Sequence, residues 1–228
     1  MTKLSIVVPV YNEQSRIEPF LGELSNLTRT LKDYEVIFVN DGSTDRTLDI
    51  LKSFRKARII TYKKNMGKGF AIKKGMLAAT GEKIIFIDAD GSTSPMEIKK
   101  MLPLLDQFDV VVGDRTNYES NVDQPLLRQT TGKLFNFWAN FIFRIHVKDN
   151  LCGFKGFRKS AAKELFKNMV SNRWIFDVEI FYRIRHKKYS LKEMSIKWEH
   201  REGTKIKFFD PIRMFFQLIH LRIKLALA

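Results

Sequence analysis

Cysteine occurs once in the 228-residue sequence, as Cys152. That excludes an internal disulfide framework and a thiolate cluster for zinc, and it fits a cytosolic or cytosol-facing protein. Long apolar runs are missing too. No eighteen consecutive apolar residues occur, so no membrane-spanning helix is expected. The short run after Met1-Thr2-Lys3 meets Pro9 and then charge, unlike a secretory signal. Repeats, low-complexity tracts and a linker that would divide the chain are also lacking, and the length suits one well-buried domain. Acidic residues are scarce beside basic ones, 25 against 40, giving a formal net charge of +15. Such a balance suits nucleic acid, an anionic membrane surface or phosphate-rich small molecules, or else a solvated lysine-rich surface. With no helix-turn-helix, zinc or RNP signature, nucleic acid is not an expected partner.

What is present begins with alternation. Short β-rich runs at 4–8, 35–40, 57–62, 83–88 and 109–113 are separated by helical patterns at 15–31, 44–55, 69–79 and 95–106. This spacing predicts an α/β fold with a mostly parallel, doubly wound sheet covered by helices. Such sheets bind ligands beyond the carboxyl ends of their strands. The polar clusters after the strands are Pro9-Val10-Tyr11-Asn12-Glu13, Asn40-Asp41-Gly42-Ser43-Thr44-Asp45, Asn65-Met66-Gly67-Lys68-Gly69, Asp88-Ala89-Asp90 and Gly113-Asp114-Arg115. All five fall on one edge of the expected sheet.

Asp88-Ala89-Asp90 closes the apolar run Ile84-Ile85-Phe86-Ile87. Two carboxylates held so close repel unless a cation or a proton sits between them. Oxygen-only ligands suit Mg²⁺ or Mn²⁺, which complete their shells with water and substrate phosphate. The alternative is an aspartate pair that merely caps the next loop. Asp41 is a candidate to accept hydrogen bonds from a base or ribose. Ser43 or Thr44 is expected to cap the following helix, with Asp45 in its first turn. The glycines around Lys68 form either a plain turn or a diphosphate contact.

The second half is less regular. The polar stretch 116–131 reads as a loop. A helix is expected over 133–148, with Lys133, Asn136, Asn140, Arg144 and Lys148 as a narrow polar stripe among Leu134, Phe135, Phe137, Trp138, Phe141, Ile142, Phe143 and Ile145. Asp210-Pro211 opens a last helix. Its polar stripe is Arg213, Gln217, His220 and Lys224, and its apolar residues include Phe215, Phe216, Ile219 and Ile223. The two helices either pack on the sheet and each other or lie in a membrane interface.

Together, in this order and spacing, Val8-Pro9-Val10-Tyr11-Asn12-Glu13, Asn40-Asp41-Gly42-Ser43, Gly67-Lys68-Gly69 and Asp88-Ala89-Asp90 resemble the family 2 glycosyltransferases with the GT-A fold. That likeness covers the first 115 residues. Asp149-Asn150-Leu151-Cys152-Gly153-Phe154-Lys155, Arg173-Trp174-Ile175-Phe176-Asp177-Val178-Glu179 and Trp198-Glu199-His200-Arg201-Glu202-Gly203-Thr204-Lys205 resemble the dolichyl-phosphate glucose synthase type. Dolichyl-phosphate mannose synthases are near relatives.

The resemblance implies a single domain, 1–228, with a nucleotide-sugar half (1–115), an acceptor half (116–207) and an amphipathic C-terminal helix (208–228). It implies an inverting hexosyltransferase using a nucleotide sugar, UDP-glucose or GDP-mannose, and dolichyl or polyprenyl phosphate, peripheral on the cytoplasmic face of a membrane. Pro9, Tyr11, Glu13 and Asp41 would line the nucleoside pocket, with Lys68 and Ala89 also on the donor side. Asp88 and Asp90 would hold Mg²⁺ or Mn²⁺, with Asp90 counted as catalytic. Arg115 and Arg128 would meet the acceptor phosphate, and Arg201 and Lys205 would close over the donor diphosphate. Asp177 and Glu179 are expected either to face sugar or acceptor, or to pair with a nearby lysine or arginine. A saccharide hydroxyl acceptor would need a general base and promote one of them. The sequence departs from the family at Asn40, in place of an aspartate, and at Glu199, where mannose synthases commonly carry arginine. Glu199 favours the glucose type.

Overall fold

Continuous apolar strands dictate the centre of the molecule. In the computed structural model, which describes residues 3–116, 126–199 and 210–226, every residue of β1 (Leu4–Val10) is buried. A strand covered on both faces reads this way, as near-continuous Val and Ile rather than alternation. β2 (Tyr34–Asn40) and β4 (Lys83–Ile87) flank it in parallel, and β3 (Ala57–Thr61) adds to β2, also in parallel. β5 (Val110–Asp114) and β7 (Leu191–Ser195) form a further parallel pair. β6 (Phe154–Arg158) runs antiparallel between β4 and β5. The sheet order is β3-β2-β1-β4-β6-β5-β7.

Because side chains alternate across a strand, the sheet feeds two cores. Val7, Ile37 and Phe86 face one, shared with α3 (Lys68–Ala78), α5 (Leu126–Phe143), α6 (Lys159–Lys167), α7 (Phe176–His186) and α8 (Asp210–Ala226). Ile6, Val36 and Ile85 face the other, with α1 (Ile17–Thr28), α2 (Thr47–Lys52) and α4 (Ile98–Leu104). The arrangement is a three-layer α/β/α sandwich. Six of the strands end at one edge, and antiparallel β6 starts there.

The first five strands and four helices match the alternation of the sequence closely. Beyond residue 116 the structure corrects it. Helix α5 begins at Leu126, inside the stretch expected to be a loop, and stops at Phe143 rather than 148. Arg144 ends it with φ 52°, a left-handed conformation more often given to glycine. Strands β6 and β7 and helices α6 and α7 were not foreseen. β6 reads FKGFR, with a charged residue and a glycine in a central strand, and β7 reads LKEMS, which looks like a polar loop. Among the described residues no helix is long and apolar enough to cross a membrane.

Candidate functional site

The loops after β1 and β2 lock into each other. Asn12, at φ 50°, accepts the Thr44 amide at 2.8 Å through Oδ1 and donates its own amide to Ser43 Oγ at 3.0 Å. The Glu13 amide donates to Thr47 Oγ1 at 2.7 Å. The cap of α2 differs from expectation: Asp45 Oδ1, not Ser43 or Thr44, accepts the first-turn amide of Thr47 at 3.0 Å. Ser43 and Thr44 bind the neighbouring loop instead. Pro9 is buried within β1, one residue before its end. Glu13 is 7% exposed, and the Arg16 guanidinium grips its carboxylate at 2.9 and 3.0 Å. Tyr11 sits half-buried at the loop start.

Asp41 is 3% exposed and its carboxylate is already engaged. It accepts from Asn65 Nδ2 at 2.9 Å, the Met66 amide at 2.8 Å and the Gly67 amide at 2.9 Å. It therefore fixes the turn into α3. Gly67 in that turn has φ 104°, and a Cβ there would lie 2.5 Å from the Asn172 carbonyl oxygen. The glycines let the turn pack against 171–173. Lys68, between them, reaches Asp88.

Its ammonium lies 2.7 Å from Asp88 Oδ2. Ala89 turns its methyl into the apolar core and is 3% exposed. β4 ends at Ile87 and the chain turns at Ala89-Asp90, so Asp88 and Asp90, both part-exposed, lie just past the carboxyl end of the strand, while buried Ala89 offers the donor side no side chain. Asp90 Oδ1 accepts the Ser92 amide at 2.9 Å. Gly153, just before β6, is the floor beneath Asp88, since a Cβ there would sit 1.8 Å from Oδ2. Behind this pair lies a buried one. Lys155, 0% exposed, gives its ammonium to Asp177 Oδ1 at 2.5 Å and the Cys152 carbonyl at 2.6 Å. It lies over the rings of Phe86 and Phe181. Burial raises the Asp177 carboxyl above its usual range despite Lys155 and Lys68. Burial opposes the Lys68 charge, but Asp88 and Asp177 outweigh it and hold the ammonium above its ordinary pKa. Cys152, buried against the same segment, has its thiol pushed up to about 12 by burial, so it carries no thiolate.

Arg115 forms a two-point pair with Asp149, at 2.6 and 2.7 Å, and lies over the Trp198 ring. Burial works against the Asp149 charge, but Arg115 wins and the carboxyl is held below its ordinary range. Glu179, 0% exposed, accepts the Val170 and Ser171 amides and pairs with Arg183 at 2.7 Å. Glu179 and Asp177 thus take the pairing alternative raised for them. A bridge between Thr93 and Trp198, with the Glu199 amide on the Ser92 carbonyl at 2.9 Å, brings the chain before Arg201 alongside Asp90. Arg201 and Lys205 lie outside the described residues, as does the side chain of Arg128 on α5. Sequence reasoning missed the buried Lys155–Asp177 pair and the partner of Arg115. A lysine between two phenylalanines in a short apolar run was the available signal for the first.

Comparison with known proteins now bears on this edge. The model of glycosyl transferase family 2 matches residues 5–166. The chain belongs to glycosyl transferase family 2. As a family 2 chain it is 34% identical to the human dolichyl-phosphate beta-glucosyltransferase, over 97% of this chain and 75% of that one. It is 35% identical to a dolichyl-phosphate beta-glucosyltransferase of Trichomonas vaginalis, over 96% and 73%. For the enzyme of that name from Saccharomyces cerevisiae the figures are 31%, 99% and 75%. Among solved structures, glucosyl-3-phosphoglycerate synthase from Mycobacterium tuberculosis in complex with Mn²⁺, UDP and phosphoglyceric acid superposes with a TM-score of 0.73 at 18% identity. That match covers 97% of this chain and 78% of the synthase. At that identity the likeness establishes the fold, the GT-A type expected from the sequence.

Proposed function

We propose that this family 2 chain transfers glucose, with inversion, from UDP-glucose to dolichyl or polyprenyl phosphate at a membrane surface. The carrying observation is the part-exposed Asp88/Asp90 pair just past the carboxyl end of β4, in a chain similar along nearly its whole length to dolichyl-phosphate beta-glucosyltransferases. The donor set suits Mg²⁺ or Mn²⁺. It is oxygen-only, and Asp88 already accommodates the positive charge of Lys68. Such ions take their remaining ligands from water and diphosphate. When bound, the metal supplies Lewis-acid stabilisation of the departing UDP.

The chain itself needs no general base for this acceptor. A phosphate monoester has a second pKa near 6, so the attacking oxygen is ionised at neutral pH. What the protein must supply is positive charge and alignment. Lys68 is poised beside Asp88 for the donor diphosphate. Arg115 would meet an acceptor phosphate only by sharing or leaving Asp149. Arg128, Arg201 and Lys205 keep the acceptor and donor roles the resemblance gives them. Glu13 and Asp41 shape the nucleoside side by holding its loops.

Gly153→Ala tests the metal pair without touching a carboxylate. The new methyl forces Asp88 aside, and the expected result is an activity loss of about tenfold or more, with the melting temperature within a few degrees. Wild-type activity in that variant would remove Asp88 from the metal role.

Membrane placement rests on two stripes. On α5, Leu134, Phe137 and Phe141 are 56%, 59% and 69% exposed, and on α8, Phe216, Ile219 and Ile223 are 65%, 40% and 56% exposed. The helices pack together through Trp138 and Phe215, so the stripes belong to one assembly, while Phe135, Ala139, Leu218 and Leu221 are buried. One face serves the core and the other is spare. An exposed apolar patch of this kind suits the acyl boundary of a bilayer, where a polyprenyl substrate resides. Phe141→Asp with Phe216→Asp should lower binding to anionic vesicles by about tenfold or more. Turnover of a short, water-soluble polyprenyl phosphate should stay within about twofold. Unchanged vesicle binding would contradict the placement.

The reaction is tested by parallel incubations with Mg²⁺ or Mn²⁺, a short polyprenyl phosphate, and UDP-glucose or GDP-mannose. Glucosyl phospholipid is the expected product. Mannose transfer alone would overturn the sugar, and no lipid-linked hexose from either donor would overturn the acceptor.

A further inference from the structure

The described basic groups nearest the carboxylate pair are already matched: Lys68 to Asp88, Lys155 to Asp177 and Arg115 to Asp149. Arg173 is different. It is exposed, and among the described residues its guanidinium has no carboxylate partner. Its loop is nevertheless held with unusual care. Glu179, fully buried and paired with Arg183, accepts the Val170 and Ser171 amides at its start. The Phe70 amide donates to the Asn172 carbonyl at 3.0 Å. The turn into α3 gives up side chains at Gly67 and Gly69 to admit it, the added Cβ atoms meeting Asn172 O at 2.5 Å and Ser171 O at 2.6 Å. The Arg173 stem lies directly over Gly67, with Cγ 2.9 Å from that Cβ position. The next residue, Trp174, places its ring 5.7 Å from the Lys68 ammonium, which itself holds Asp88.

Ordering an exposed loop costs conformational entropy, and a buried carboxylate spent on two amides is an expensive clamp. A planar, always-charged guanidinium with no carboxylate partner among the described residues, at the end of such a clamp, is suited to grip a phosphate at two points. We propose that Arg173 is a phosphate-docking residue at the rim of the Asp88 site, held in place by the Glu179 clamp and the Gly67–Gly69 turn. This rests on the reading of the edge as a glucosyl-transfer site. The phosphate chemistry is shared by the donor diphosphate and the lipid acceptor phosphate, and the experiment separates them.

Arg173→Ala and Arg173→Lys are compared with the wild-type protein in two equilibrium titrations, UDP with Mn²⁺ and a short polyprenyl phosphate, alongside kcat and KM for the lipid. The residue is exposed, so both variants should keep the wild-type melting temperature. Arg173→Ala should weaken one of the two ligands by about tenfold or more, with Arg173→Lys recovering part of the loss. If the lipid KM rises with kcat within about twofold and UDP affinity is unchanged, Arg173 docks the acceptor. Weaker UDP binding assigns it to the donor. If neither ligand's affinity moves by more than about twofold, the inference is overturned. Wild-type protein that binds UDP but makes no glycosylated lipid would sink the acceptor reading alone, since the UDP titration still judges Arg173.

Discussion

Asp90→Ala should stop turnover, with product formation falling by about a thousandfold or more, while leaving the fold intact. The physical grounds lie in how Ala89 is anchored. Its methyl sits in the apolar core with Ile87, which fixes the turn carrying the two part-exposed carboxylates past the end of β4. Asp90 is part-exposed and outside the core, so the melting temperature should stay within a few degrees of wild type. What is lost is the charge needed to retain a divalent cation against the leaving diphosphate. Asp90 also accepts the Ser92 amide, so Asp90→Asn, which keeps an acceptor but not the charge, separates the two roles. Both variants should bind Mn²⁺ weakly, and only the alanine should disturb the turn. Retained activity in either would remove the metal role from Asp90.

Lys155→Met should have the largest effect on stability, about 3–5 kcal/mol. The ammonium is fully buried, and its loss strands the Asp177 carboxylate and two backbone carbonyls among phenylalanine rings. In a domain of this size that corresponds to a fall in melting temperature of about 10 °C. The pH dependence has a definite sign. The folded-state pKa of Asp177 is raised by burial, and without Lys155 the raise is larger. A carboxyl with a raised folded pKa binds protons preferentially in the native state, so the native state gains stability as pH falls toward that pKa. The defect of Lys155→Met should therefore shrink in mild acid, and Asp177→Asn should partly rescue it at neutral pH. Urea denaturation at two pH values measures both. A variant as stable as wild type would show that the pair contributes nothing.

Legibility in the sequence followed the physics of each element. β1, β2 and β4 announce themselves because both faces are buried, leaving uninterrupted Ile and Val runs that end in polar loops. The carboxylate pair was legible for the same reason. β6 was hidden because it carries Lys155, whose charge is neutralised by a residue 22 positions later, a pairing no local pattern displays. Arg115 looked like a free cation until Asp149 met it from 34 positions away. Asp41 was legible as a polar candidate after β2, but the amides it holds, 25 and 26 positions later, were not. The exposed stripes of α5 and α8 were legible as amphipathic helices. Which apolar residues are spare, however, depends on how the two helices pack.

The central claim is transfer of glucose onto a lipid phosphate with inversion, and the linkage in the product tests it most directly. UDP-glucose carries the α-configured sugar, so the account predicts a β-glucosyl phosphate ester of the polyprenol, formed only with Mg²⁺ or Mn²⁺ and identified by the coupling of its anomeric proton. An α-linked product, glucose attached to a hydroxyl, or undiminished synthesis after complete metal removal would contradict it.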